Sequence, residues 1–399
     1  MNFNEFGFDP KLLEGIESMG FTVATKIQEQ AIPIIMKGSD MIGSAQTGTG
    51  KTAAFLLPIT DRLIREDHGK SIKALVIVPT RELAVQIDQH MEGLSYFTSV
   101  SSIAIYGGTD GAAFSKEKQA LTEGADIVVC TPGRMIAHLN MGYVNLERLQ
   151  FLVLDEADRM LDMGFVDDIM KIITYLPTKR QTLLFSATMP KEIRGLAAKV
   201  LKDPEEIAIS LSKPVERILQ MAYVVYEPQK IPLLKFILQP MEGRTILVFC
   251  SSKSSTKELA RELKKLGLAA EEIHSDLSQD EREKVLMRFR NRELKIMVAT
   301  DIVSRGIDIE NIDMVVNFDV PHDGEDYIHR IGRTARAAAS GVAITLISPK
   351  DQFRFASIEK ILEKPVYKAI VPVHLGEAPA YNPVKPEWKK GRPFKGKRK

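Results

Sequence analysis

Ala45-Gln46-Thr47-Gly48-Thr49-Gly50-Lys51-Thr52 is the stretch on which the reading of this chain turns. It follows the short apolar segment Asp40-Met41-Ile42-Gly43 and runs into Ala53-Ala54-Phe55-Leu56-Leu57. A strand, a glycine-rich turn and an apolar helix in that order form a phosphate-binding loop. Gly48 and Gly50 let backbone N–H groups turn inward, and the helix N-terminus adds the positive end of its dipole. Lys51 is placed to reach the β and γ phosphates of a nucleoside triphosphate, and the Thr52 hydroxyl to ligate magnesium. The strict motif begins with glycine, where this chain has Ala45. Taken alone, the stretch also fits an ordinary turn.

Downstream, Phe151-Leu152-Val153-Leu154 ends in Asp155-Glu156-Ala157-Asp158. Carboxylates at the carboxyl end of a buried parallel strand sit where open α/β sheets bind ligands. Asp155 is expected to hold magnesium, through water, and Glu156 to polarise the water that attacks the γ phosphate. An acidic helix N-terminus is the plainer alternative, since the dipole favours it. A phosphate loop upstream argues for the catalytic reading.

The apolar runs around these motifs give the architecture. Segments 74–78, 102–106, 126–130, 151–154 and 182–185 read as strands, with helical spacing at 82–87 and 165–175. The pattern returns at 220–225, 245–250, 295–299, 314–318 and 342–347. Near-continuous apolar strands alternating with helices predict parallel sheets covered on both faces. The expected fold is therefore α/β, with one lobe over residues 1–208, a linker at 209–217 and a second lobe over 218–365. An extension and tail fill 366–399. From about Gly376 the tail is rich in Gly, Pro and Lys, with too little apolar surface to fold alone. Its nearly uniform positive charge suits a phosphate backbone or simply keeps the chain solvated.

Composition agrees. A chain of 399 residues suggests two domains, and 44% hydrophobic with 27% charged residues is ordinary for a globular protein. The net charge of +2 announces no bulk affinity for nucleic acid, so any basic surface is local. Cys130 and Cys250 each end an apolar run without paired histidines nearby, which excludes a zinc site and predicts buried thiols in a reducing cytosol. No apolar run reaches the ~20 residues needed to cross a bilayer. Met1 to Pro10 carries Glu5 and Asp9 and has no basic segment followed by an apolar stretch, so no signal peptide is expected. A soluble, cytoplasmic protein without membrane attachment is expected.

Late in the second lobe, Tyr327-Ile328-His329-Arg330-Ile331-Gly332-Arg333-Thr334-Ala335-Arg336 packs three arginines within seven residues. Arg333 and Arg336 would share a helix face. Arginines aimed at a phosphoryl transition state accelerate transfer by about a thousandfold or more. If the first lobe holds the phosphates and the second supplies these guanidiniums, hydrolysis requires the lobes to close. A solvated basic helix or direct contact with nucleic-acid phosphates is the alternative.

From Phe3 to about Glu363 these residues resemble the DEAD-box ATP-dependent RNA helicases, compact bacterial type. Phe3, Gly20-Phe21 and Thr25-Lys26-Ile27-Gln28 are similar to the family's Q motif, followed by Ala45–Thr52 and Pro79-Thr80-Arg81-Glu82-Leu83-Ala84. Gly107-Gly108, Thr131-Pro132-Gly133-Arg134, Asp155–Asp158 and Ser186-Ala187-Thr188 follow in family order. Val248-Phe249-Cys250, His274–Arg282, Ala299–Asp308 and His329–Arg336 complete the set. The resemblance implies two tandem RecA-like domains and hydrolysis of ATP with Mg2+. Gln28 would read adenine with Phe3 stacking nearby, Lys26 would join the nucleotide site, and Asp308 would contact the ribose. Ser186, Thr188 and His329 would couple nucleotide to RNA. Arg81, Gly108, Thr131, Arg134, Gln279, Arg282 and Thr300 would contact the RNA backbone, with little sequence preference. Local opening of short duplexes is implied, with remodelling of RNA or RNA–protein complexes. Ribonucleoprotein partners and a monomer fit this reading. An ATP-gated RNA clamp with incidental unwinding stays open, and a DNA translocase is disfavoured by the Thr131–Arg134 and Asp155–Asp158 motifs. Ala24, Ser275 and Ala337–Ala339 depart from the family pattern.

Overall fold

In the computed structural model the described residues are 1–45, 48–66, 71–108, 111–209, 218–241, 243–301, 312–334 and 341–384. They divide into two compact units, 1–209 and 218–384. Apart from Ile209, the expected linker lies outside the described residues.

The first unit contains β1 (Met41–Ser44), β2 (Ala74–Ile77), β3 (Ser102–Ile105), β4 (Ile127–Cys130), β5 (Phe151–Leu154), β6 (Gln181–Ser186) and β7 (Glu205–Ala208). They form one sheet in the order β3-β4-β2-β5-β6-β1-β7, parallel throughout. With both faces covered and a strand period of two, the central strands β2, β4 and β5 are apolar at every position. Val76, Val129, Val153 and Phe185 face one core, with the helices Pro10–Ser18, Lys26–Lys37, Lys51–Arg65 and Arg81–Ser95. Leu75, Val128, Leu152 and Leu184 face the other, with Pro132–Asn140, Val166–Ile173 and Lys191–Val200.

The second unit holds β8 (Ile218–Val224), β9 (Ile246–Cys250), β10 (Ala270–Ile273), β11 (Ile296–Thr300), β12 (Met314–Asn317), β13 (Gly341–Ile347) and β14 (Tyr367–Lys368). Their order, β10-β11-β9-β12-β13-β8-β14, repeats that of the first sheet strand for strand, again parallel. The two lobes share one architecture although their sequences share little. This is the tandem α/β arrangement anticipated above.

The extension behaves differently from its composition. Tyr367 and Lys368 pair with Met221 and Ala222, and Val371 is buried in the second core. Farther on, Gln352 Nε2 donates to Ala380 O at 2.8 Å, and Asn382 N donates to Gln352 Oε1 at 2.6 Å. The change of texture at Gly376 therefore does not mark the end of the folded lobe. Too polar to fold alone, the segment borrows a core already built. Residues 385–399 lie outside the described residues.

Candidate active site and nucleic-acid face

In a parallel sheet all strands deliver their following loops to one edge. At the carboxyl edge of the first sheet, β1 leads to the phosphate loop, β5 to Asp155 and β6 to Ser186. These three strands are neighbours in the order β5-β6-β1. The other half of that edge, β3-β4-β2, carries Gly108, Thr131 and Arg81. Strand order alone separates the nucleotide residues from the proposed nucleic-acid contacts while keeping both on one edge.

Lys51 is buried, and its Nζ donates to Ala45 O at 2.7 Å, closing the loop on itself. Gly48 and Gly50 adopt φ of 81° and 93°, the left-handed region that glycine enters without penalty. Ala45 is absent from that region, so its methyl group brings no strain where the strict motif has glycine. Thr49 and Thr52 are half-buried; Gln46 and Thr47 lie outside the described residues. Gln28, also buried, accepts from Thr25 N at 2.8 Å and donates through Nε2 to Gly50 O at 3.1 Å. Lys26 is exposed in the first turn of the same helix. Phe3 is 4% exposed, its ring packed on those of Phe6 and Phe21.

Asp155 is 2% exposed, and its Oδ1 accepts from Glu156 N at 2.9 Å. Burial pushes its carboxyl up to about 6; the Lys51 ammonium pulls down, while Glu156 and Asp158 push up. Glu156 sits at φ 53° and ψ 50°, a left-handed conformation that costs a non-glycine residue free energy and recurs at functional sites. It caps the helix Ala157–Asp162, and its Oε2 accepts from Arg159 Nη1 at 3.1 Å.

Asp158 was not among the residues singled out by sequence. Its Oδ2 accepts from Ala187 N at 3.1 Å and Thr188 N at 3.0 Å, and its own N donates to Ser186 Oγ at 3.2 Å. Ser186 Oγ in turn donates to Thr188 O at 2.7 Å. The segment after β6 is thereby fastened to the acidic turn after β5.

Arg81 and Gly108 come together: a side chain at Gly108 would collide with the Arg81 guanidinium, and φ there is 84°. Thr131 and Arg134 lie at the start of Pro132–Asn140, where Arg134 Nε donates to Glu117 Oε2 at 2.7 Å. In the second unit Thr300 is buried at the end of β11, and Arg282 is half-buried on the helix Gln279–Arg290. The Gln279 side chain, Asp308 and Arg336 lie outside the described residues.

The arginine cluster divides. Arg330 is 3% exposed and grips Asp301 through two bonds of 2.6 Å, with further bonds to Asn317 Oδ1 at 3.2 Å and Asp319 O at 2.9 Å. It ties the ends of β11 and β12 together and serves as scaffold. His329 is half-buried, and Arg333 is buried.

Residues 25–196 match the family described as DEAD/DEAH box helicase, and residues 229–338 match the helicase conserved C-terminal domain. The ATP-dependent RNA helicase CshA of Listeria monocytogenes is 42% identical over 363 residues, covering 91% of this chain and 69% of the relative. The DEAD-box ATP-dependent RNA helicase CshA of Geobacillus kaustophilus is 41% identical, with 91% and 77% covered. The chain belongs to the DEAD-box ATP-dependent RNA helicases. It is thus an ATP-hydrolysing enzyme. The structure of S. cerevisiae Dbp5 bound to RNA and ADP BeF3 is also similar, with a TM-score of 0.82, 31% identity and 92% and 95% covered. That breadth of likeness makes both lobes of the helicase RecA-like.

Among the described residues, no group of His, Cys, Asp and Glu forms a metal cluster, and no helix is long and apolar enough to cross a membrane. Cys130 and Cys250 are buried free thiols, their pKa pushed up by burial.

Proposed function

We propose that this helicase is an RNA-dependent ATPase that opens short RNA duplexes locally and remodels RNA or RNA–protein complexes, working as a cytoplasmic monomer. One observation carries the reading: a buried ammonium, Lys51, and a buried carboxylate, Asp155, lie close enough to act on each other at one sheet edge. Burying unlike charges that are not fully paired is costly, and binding an anion beside one and a cation beside the other relieves both. Phosphates and magnesium meet that demand, so these residues fit Mg2+ and ATP.

Thr52 and Asp155 would hold the magnesium, which when bound neutralises charge developing on the β and γ oxygens. Lys51 exchanges its carbonyl partner for phosphate oxygens. Glu156 takes the proton from the attacking water. Gln28 and Lys26 select the adenine, with the buried Phe3 nearby, and Asp308 holds the ribose. Gln46, Thr47, Gly48, Thr49 and Gly50 present backbone N–H groups. Arg333 and Arg336 from the second lobe stabilise the equatorial oxygens, so turnover waits for that lobe. Asp158, Ser186, Thr188 and His329 relay the state of the nucleotide. Arg81, Gly108, Thr131 and Arg134, with Gln279, Arg282 and Thr300, grip the RNA backbone. RNA and ADP BeF3 in the yeast relative's structure support both ligands.

ATP turnover measured alone, with RNA and with DNA tests the reading, beside strand release from RNA duplexes of increasing length. Strong stimulation by RNA, and release confined to short duplexes, is expected. Stimulation by DNA but not RNA, or equal release of long duplexes, overturns it.

A further inference from the structure

Glu117 lies on the helix Gly111–Glu123 and is only 5% exposed. One oxygen, Oε2, accepts from Arg134 Nε at 2.7 Å and from His138 Nε2 at 2.8 Å. His138 is fully buried, and its Nδ1 is hydrogen-bonded to the Tyr143 hydroxyl. A neutral imidazole protonated on Nε2 satisfies both contacts, donating to the carboxylate and accepting from the phenol. Phe114 completes the assembly. Its ring stacks on His138 at 4.5 Å and 14°, and the Arg134 guanidinium lies 4.6 Å from the same ring.

Arg134 is therefore held twice, by a carboxylate at its Nε and by an aromatic face. Taking a carboxylate and a guanidinium out of water costs more than packing an apolar pair of similar volume. Core stability alone does not favour such a group; a demand for a fixed guanidinium direction does. Arg134 stands in the first turn after β4, beside Thr131, on the half of the sheet edge that also carries Arg81 and Gly108.

We propose that Glu117, fixed in turn by His138, is a positioning residue for RNA binding that holds the Arg134 guanidinium in the direction needed to meet an RNA phosphate. The proposal rests on the reading of Arg134 as an RNA contact. Arginine contacts a phosphate best as a planar fork, and a fork already oriented loses less side-chain freedom on binding.

The test uses the full chain, with ATP turnover followed against rising single-stranded RNA and thermal melting recorded for each variant. Glu117→Gln keeps the shape but removes the charge and one acceptor. It is expected to raise the RNA concentration for half-maximal stimulation by about 3- to 10-fold, with turnover at saturating RNA within about twofold of the parent. Arg134→Ala is expected to raise the same quantity at least as much, and adding Glu117→Gln to it should change nothing more. A general packing defect would instead lower maximal turnover or melting temperature and would add to Arg134→Ala. If Arg134→Ala leaves half-saturation unchanged, the assignment of Arg134 to RNA fails, and the proposal with it. If Arg134→Ala weakens RNA binding but Glu117→Gln does not, or if the two effects add fully, the positioning role is overturned while the RNA contact stands.

Discussion

Gln28 Nε2 donates to Gly50 O at 3.1 Å, so the residue expected to read the base also braces the loop expected to hold the phosphates. The approach is so close that a Cβ on Gly50 would fall 2.5 Å from that nitrogen. Gln28 keeps one amide hydrogen and one lone pair beyond its two bonds, the donor–acceptor pair that an adenine edge requires.

Replacing Gln28 by Ala removes the brace together with the proposed base contact. KM for ATP is expected to rise about tenfold and the preference for ATP over GTP to collapse, consistent with a loss of one to two hydrogen bonds in a buried site. Turnover measured with each nucleotide at saturating RNA checks this. An unchanged ATP-to-GTP ratio would remove Gln28 from base recognition.

The acidic site is expected to trade stability for function. Asp155 has its carboxyl raised from 3.8 to about 6, so between those values the folded protein retains a proton that the unfolded chain has released. Stability then falls as pH rises through that window, and the penalty is fully present above it. Asp155→Asn is expected to stabilise the ligand-free protein near neutral pH by about 1 to 3 kcal/mol while abolishing ATP turnover. The gain should shrink as pH falls through the window and vanish below 3.8, where both states carry the proton. Melting curves across pH without nucleotide decide the matter; a lower melting temperature for the variant at neutral pH would be incompatible with this account.

How far these features can be read from sequence depends on where the physics resides. Strands such as β2, β4, β5 and β9 are covered on both faces, so every residue is apolar and the run is visible. Glu205–Ala208 and Ala270–Ile273 are edge strands in which two of the four residues are glutamates, so no apolar run marks them. The phosphate-loop, acidic and arginine motifs stand out because each is contiguous in sequence. The bonds from Asp158 to Ala187 and Thr188 do not, because β5–β6 pairing brings those segments together only in the fold. The scaffold role of Arg330 was hidden likewise, since its partner Asp301 follows a different strand.

Glu359 accepts from Val366 N at 2.7 Å, Lys368 Nζ at 2.6 Å and the Tyr381 hydroxyl at 2.6 Å, stapling the extension to the second lobe. Burial alone would raise its pKa, but the bonds from Lys368, Tyr381 and Val366 outweigh it and lower the carboxyl below 4.5. The contribution is therefore present above that value and lost as pH falls through the folded pKa. Glu359→Ala should cost about 1 to 2 kcal/mol near neutral pH and little at acid pH. Amide exchange in residues 366–384 should quicken at the same time. Unchanged protection there would mean that the extension is held by its apolar contacts alone.

Because residues 366–384 are part of the second lobe, a test of the basic tail must cut after Val384. A cut at Gly376 would also remove the bonds of Tyr381 and Asn382 and confuse RNA affinity with folding. The segment 385–399 contains Lys385, Lys389, Lys390, Arg392, Lys395, Lys397, Arg398 and Lys399 against the single acid Glu387. Each cation that neutralises an RNA phosphate releases condensed counterions, adding roughly 0.7 to the slope of log affinity against log salt on a single strand. Deleting the segment is expected to weaken RNA binding at low salt and to flatten that slope by several such increments. Turnover at saturating RNA should stay within about twofold, because the cut leaves both sheet edges intact. Binding isotherms at three or more salt concentrations, for the full chain and for the chain ending at Val384, give the slopes directly. Parallel lines would assign the tail to solubility and leave the sheet edges as the only grip on RNA.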